Sequence, residues 1–315
     1  MIHTTSHDIA VAAPPTAVYG VIADVTAWPH LFPPTIHAER VAGDDRAEQI
    51  RLWALAGDAV KTWTSRRTLD PALGTITFRQ EAPHPPVTSM TGTWSIQSAG
   101  GDGGGGSVVT LTHEFSVADD TPANLALVGE AIEHNSRSEL AAMRTAAEHA
   151  SWPDLLLSFS DSVLIDGATA DVYEFLYRCA EWPQRLPHVS RLDLTEDEPG
   201  VQMMEMDTRT VDGDTHSTKS VRICFEPNRI VYKQTVVPPY MLAHTGEWTL
   251  ADTEHGVETT ARHTVLIDAE RAIALLGPGS TIDDVRAKIR SALGTNSRTT
   301  LRHAKDYVER ERAHA

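Results

Sequence analysis

The chain repeats itself at a fixed interval. Val18-Tyr19 and Trp28-Pro29 recur as Val172-Tyr173 and Trp182-Pro183, each 154 residues on. The same interval links Phe78-Arg79-Gln80 to Tyr232-Lys233-Gln234, and Thr91-Gly92-Thr93-Trp94 to Thr245-Gly246-Glu247-Trp248. One register held over three segments marks a tandem duplication, so each half has to make a whole fold. His113 then pairs with His263, and Asn135-Ser136-Arg137 with Asn296-Ser297-Arg298. The expected domains are 1–151 and 155–315, joined by a short linker near Ser151-Trp152-Pro153-Asp154.

With 315 residues, 41% of them hydrophobic, two halves of about 150 residues are each long enough to bury a core. Cys179 and Cys224 lie in one half without ligand spacing, which fits a reducing cytoplasm. The start, Met1-Ile2-His3-Thr4, lacks a basic, apolar leader, and no apolar run is long enough to span a membrane. A formal charge of −16 weighs against nucleic acid and anionic membranes, which recruit cationic surfaces. Arg286, Lys288, Arg290, Arg298, Arg302 and Lys305 form either a local dock for an acidic protein or a solvated helix face. No zinc-protease pair, nucleophile elbow or phosphate loop is present. Neither metal nor nucleotide cofactor is expected.

Within each half the order is strand, short helices, many strands, long helix. Ile9-Ala10-Val11 alternates, Pro14-Pro15 opens a helix through Val18, Val21, Ile22 and Val25, and Trp28-Pro29 is expected to end it. Strand patterns cover Ala47–Leu55, Val60–Leu69, Thr75–Glu81, Val87–Ile96 and Val108–Val117. Gly100 to Gly106 reads as a flexible hairpin connection. Helical spacing runs from Pro122 to His149, and again from Ile282 past Tyr307. The fold class is therefore α+β: a curved antiparallel sheet wrapped round a long carboxy-terminal helix, twice over. Such a sheet cannot close fully on its helix, so its interior is a candidate pocket.

Alternate strand residues share a face. Trp63, Ser65, Arg67 and Leu69 form one such set, placing a guanidinium among apolar groups, where it is costly unless paired or used. Met90, Gly92 and Trp94 form another set, and Leu111, His113 and Phe115 a third. The helix stripe adds Asn135, and Trp28 and Phe32 cap the mouth. With Phe78, these residues describe an aromatic tunnel with a few polar groups. Each has a structural alternative: Trp28 and Trp94 as core, Arg67 in a surface ion pair, His113 as a hydrogen-bonded core histidine, Asn135 as a loop brace. At the 154 offset, Trp63, Ser65 and Arg67 become Ser217, Lys219 and Val221. The second half is thus expected to have lost the arginine and to keep Trp182, Trp248, His263 and Asn296, with Lys219 supplying a charge from another point.

The duplication, the Val-Tyr...Trp-Pro opening, the run Trp63-Thr64-Ser65-Arg66-Arg67-Thr68-Leu69-Asp70-Pro71, the Thr91-Gly92-Thr93-Trp94 strand and Asn135-Ser136-Arg137 resemble the didomain aromatase/cyclases of bacterial type II polyketide synthases. These belong to the helix-grip superfamily that includes START domains. The resemblance implies closure, dehydration and aromatisation of the first ring, between carbons 7 and 12, of an often ketoreduced poly-β-ketone. The chain is carried by an acyl carrier protein, alongside other synthase components. By that likeness Arg67 is the essential arginine with Trp63 and Ser65 beside it, and His113 and Asn135 fall at further site positions, so that Arg67, His113, Ser65 and Asn135 are expected to be catalytic. The strand phases and the repeat add Trp28, Phe32, Trp63, Phe78, Met90, Trp94, Lys219, Trp248, His263 and Asn296 as expected substrate-binding residues. Because the fold hosts carriers and enzymes alike, a noncatalytic carrier of an apolar molecule is the rival reading. A stand-alone dehydratase or cyclase acting on a free aromatic metabolite is a third.

Overall fold

A computed structural model describes the chain except residues 58, 101–104, 149–154, 210–214, 278 and 315. The expected linker, 151–154, and part of the glycine-rich connection lie outside the described residues. The chain divides into two compact units, Met1–Trp152 and Pro153–Ala315.

In the first unit β1 (His3–Val11) leads into α1 (Pro15–Ala23), a 3₁₀ turn (Val25–Ala27) and α2 (Trp28–Leu31). Six strands follow: β2 (Thr35–Gly43), β3 (Ala47–Ala56), β4 (Ala59–Asp70), β5 (Thr75–Gln80), β6 (Val87–Ser98) and β7 (Ser107–Val117). The unit ends in α3 (Pro122–Glu148). Trp28-Pro29 opens a helix rather than closing one. α1 stops at Asp24, whose ψ of 89° leaves the helical region and whose carboxylate accepts from the Thr26 N–H at 3.0 Å. Proline at the first turn of α2 loses no hydrogen bond there. The sequence patterns also omit β2, whose carboxy-terminal half is exposed, with no alternation of buried and exposed positions.

The sheet order is β1-β7-β6-β5-β4-β3-β2, and every pairing is antiparallel. The first strand therefore lies beside the last. Alternation along β1 and β4 sends Val11, Ser65, Arg67 and Leu69 to the covered face and Asp8, Arg66 and Thr68 to solvent. α3 packs on β1 and β7, and α1 on α3. Among the described residues, apolar side chains form three clusters. Val18, Ile22, Trp94, Leu111 and Met143 belong to one, Met90, Phe115 and Ile132 to a second, and Val25, Ile50 and Leu52 to a third. Trp28 packs against the first and the third.

The second unit repeats the plan with β8 (Leu156–Ile165), α4 (Thr169–Tyr177), a 3₁₀ turn (Cys179–Glu181) and α5 (Trp182–Arg185). Its strands are β9 (Val189–Glu198), β10 (Val201–Arg209), β11 (Thr215–Phe225), β12 (Arg229–Val236), β13 (Met241–Thr253) and β14 (Gly256–Ile267). Its sheet order is β8-β14-β13-β12-β11-β10-β9. α6 (Ala269–Leu276), which has no counterpart in the first unit, precedes the long α7 (Ile282–His314).

Candidate active site

A single row of paired residues crosses the first sheet. Glu48 on β3 lies opposite Arg67 on β4, Arg67 opposite Phe78 on β5, Phe78 opposite Gly92 on β6, Gly92 opposite His113 on β7, and His113 opposite Thr5 on β1. Residues paired across antiparallel strands share a face, here the one covered by the helices. The strand phase read for Arg67 is the one adopted: it is 3% exposed, and Ser65 beside it is equally buried.

Arg67 is held from several sides. Its Nη2 donates to the Ile22 carbonyl at 2.8 Å, its Nη1 lies 3.2 Å from Glu48 Oε1, and its guanidinium carbon sits 5.2 Å from the centre of the Trp28 ring. Arg40 reaches the other Glu48 oxygen at 2.7 Å. Burial pulls the Arg67 pKa from 12.5 to about 10, against the opposing pull of Glu48, so it stays charged at neutral pH. A guanidinium has five N–H donors, so these contacts leave donors for a ligand. The Trp28 indole N–H and Tyr19 hydroxyl are both buried without a hydrogen-bond partner.

At the other end of the row, the His113 imidazole meets the Phe78 ring edge-on at 5.6 Å. Its Nδ1 is buried and unpaired, as are the Thr5 hydroxyl and the Ser136 hydroxyl of α3. Burial, with a smaller contribution from His7, lowers the His113 pKa to about 4. The imidazole is therefore neutral at pH 7. Gly92 makes this geometry feasible, because a Cβ there would lie 2.3 Å from the Phe78 ring.

Other expected site residues fall into place differently. Trp28, Trp63 and Phe78 are half-buried, and Phe32 is buried edge-on to Trp28. Met90, Trp94 and Trp248 are buried within apolar clusters and act as packing. Asn135 and Asn296 are exposed. The buried stripes run through Ser136 and Ser297 instead, about 100° round the helix from their asparagine neighbours. A groove of about 380 Å³ lined by Arg66, Thr77, Arg79 and Thr93 lies on the opposite, outer face of the sheet and is not this site.

The second unit has not lost its arginine. Its row runs Gln202, Arg222, Tyr232, Gly246, His263, Phe159. Arg222 Nη2 donates to the Leu176 carbonyl at 2.6 Å, Nη1 donates to Gln202 at 2.8 Å, and the guanidinium lies 5.3 Å from the Trp182 ring. The true offset on this strand is 155. An extra residue precedes β11, and the β11–β12 hairpin is shorter by one than β4–β5, with residues 226–228 in place of 71–74. A one-residue slip reverses the face read for every side chain. Lys219 is accordingly the counterpart of Thr64, exposed and ion-paired to Glu205 at 2.9 Å. The pattern Ser65-x-Arg67 against Ser220-x-Arg222 carried the signal, as did Glu48 in phase with Ile50 and Leu52.

Two helix-grip units, each with a buried arginine and a histidine on one cross-strand row, define the class. Among protein families, the model described as polyketide cyclase/dehydrase and lipid transport matches residues 3–148. The chain is 43% identical to the granaticin polyketide synthase bifunctional cyclase/dehydratase of Streptomyces violaceoruber, over 98% of this chain and 95% of that one. It is 42% identical to the actinorhodin counterpart of Streptomyces coelicolor, over 96% of each. Two solved structures resemble it along its length. The di-domain ARO/CYC BexL, from the BE-7585A biosynthetic pathway, has a TM-score of 0.88 and 44% identity, covering 98% of this chain and 99% of that one. StfQ, from the steffimycin pathway, has 0.84 and 34%, covering 99% and 100%. The chain belongs to the family of didomain polyketide aromatase/cyclases, the bifunctional cyclase/dehydratases of type II polyketide synthases.

Proposed function

We propose that the first unit, residues 1–151, folds a poly-β-ketone delivered by an acyl carrier protein, closes its first ring by aldol condensation between carbons 7 and 12, and dehydrates it. A ketoreduced chain is the expected substrate, and the second unit, 155–315, supports this work. The observation that carries the reading is the row joining a charged, buried Arg67 to a neutral His113 whose Nδ1 has no hydrogen-bond partner.

A carbon flanked by two carbonyls gives its proton to His113, and the electron pair moves onto a carbonyl oxygen as an enolate. The enolate carbon then attacks a ketone, a carbon–carbon bond forms, and the ketone oxygen takes up a proton. Departure of that hydroxyl with a neighbouring hydrogen as water gives the ring its double bond. Arg67 stabilises the enolate charge, a role worth about 3 to 4 kcal/mol for a preorganised donor in a dry site. The histidinium formed in the first step gives its proton to that ketone oxygen, and the regenerated imidazole takes the neighbouring carbon's hydrogen and passes it to the departing hydroxyl; such shuttling typically contributes about 10² to 10⁴ in rate. Ser65 and the Trp28 and Tyr19 donors orient the remaining carbonyls, and Trp63 and Phe78 hold the chain in one fold.

The test is reconstitution with a minimal synthase, with and without ketoreductase, followed by identification of the first ring. Wild type gives one ring pattern. The double variant Arg67→Gln/Glu48→Gln, which leaves no lone buried charge, gives the scrambled products of unassisted closure. Normal product from that variant excludes Arg67 from the chemistry.

A further inference from the structure

The two rows differ at the neighbours of the histidine. In the second unit His263 Nδ1 lies 3.1 Å from the Tyr232 hydroxyl and 3.1 Å from His244 Nε2. The counterparts in the first unit are Phe78 and Met90, each 154 residues earlier. Neither offers a donor or acceptor of comparable strength at that point. The backbone frame is otherwise the same: Phe78 lies opposite Gly92 and Tyr232 opposite Gly246. A Cβ on Gly246 would come within 2.1 Å of the Tyr232 ring, much as one on Gly92 would meet Phe78. Both aromatic rings meet their histidine edge-on, at 71° and 76°.

We propose that the residue at position 78 is a positioning residue that decides whether the histidine of its row is available to substrate. Phenylalanine leaves the buried His113 Nδ1 without a hydrogen-bond partner, whereas Tyr232, together with His244, engages His263 at the same nitrogen and leaves only its Nε2 unpartnered. An imidazole nitrogen that already shares a proton with a phenol and a second imidazole must break those bonds before it takes a proton from carbon. The duplicated protein thus contains one open and one occupied copy of the same row. The active copy is distinguished by a missing hydroxyl rather than by a missing arginine. This inference rests on the assignment of His113 as the proton acceptor.

The test is Phe78→Tyr in the full chain, read two ways. Imidazole nitrogen NMR is expected to move His113 Nδ1 towards the hydrogen-bonded position of His263, and first-ring formation in the reconstituted synthase to fall on the order of tenfold or more. Phe78→Leu, which adds no hydroxyl, leaves the Nδ1 signal unmoved and loses less activity than Phe78→Tyr. If Phe78→Tyr does not fold, Tyr232→Phe supplies the hydrogen-bond reading: His263 Nδ1 shifts away from its bonded position. An unmoved Nδ1 in either variant overturns the proposal. So does an engaged His113 with undiminished activity while His113→Gln is inactive. Full activity of His113→Gln instead refutes the catalytic assignment and leaves the hydrogen-bond reading standing.

Discussion

Arg67 and Glu48 are a buried ion pair, with side-chain exposures of 2% and 0%. Removing Arg67 leaves the buried Glu48 carboxylate with the half-exposed Arg40 as its remaining cation, and removing Glu48 leaves the buried guanidinium without its carboxylate. Arg67→Ala is therefore expected to cost about 3 to 5 kcal/mol in urea unfolding, while Glu48→Gln added to Arg67→Gln recovers most of the loss. Activity alone cannot separate chemistry from folding at this position, but the double variant can. The histidines supply a pH signature. His113 and His263 both fall from an ordinary 6.5 to about 4, chiefly through burial. Between those values the unfolded chain takes up protons that the native state refuses. Stability thus falls as pH drops from about 6.5 to about 4, then levels off as far as these groups are concerned. His113→Gln should flatten that slope in unfolding experiments across the window. The burial of Arg67 was legible in residues, because Leu69 and Ser65 fix its phase. The pairing with Glu48 was not, since strand partners depend on a register that alternation alone leaves open.

At the level of elements, the glycines opposite Phe78 and Tyr232 leave no room for a Cβ beside those rings. Gly92→Ala should destabilise by about 1 to 3 kcal/mol, since the added methyl must push the Phe78 ring aside, and it should tilt that ring away from His113. Thermal unfolding and the His113 NMR signals check the two effects separately. Strand positions and the long helices could be read from periodicity, within a few residues at most ends. Two failures have physical causes. The stripe of α3 through Val128, Ile132, Ser136 and Met143 is legible in the sequence, but it does not extend to Asn135, which lies one residue off it and is exposed. The arginine of β11 was missed because a fixed offset cannot follow an insertion and its compensating deletion.

For the whole molecule, the duplicated rows predict an asymmetry. Arg222 donates to Gln202 and to the Leu176 carbonyl, with no carboxylate among the described residues against it as Glu48 lies against Arg67, and Gln202 passes the contact on to Glu196 at 2.8 Å. Arg222→Gln should therefore reduce stability while leaving the ring pattern of the product intact, whereas loss of Arg67 changes that pattern. Reconstitution with both variants, each checked by unfolding, settles which unit does the chemistry. Sheet order also dictates a timetable. His3 pairs with Phe115 and Val11 with Ser107, so during synthesis β1 waits unpartnered while some hundred further residues are made. Such long-range closure is slow and leaves an open edge in the meantime. The second unit repeats the delay, Leu164 waiting for Glu258. Each unit can finish only when its last strand has been synthesised, and a nascent chain halted before β7 leaves β1 an adhesive ribbon.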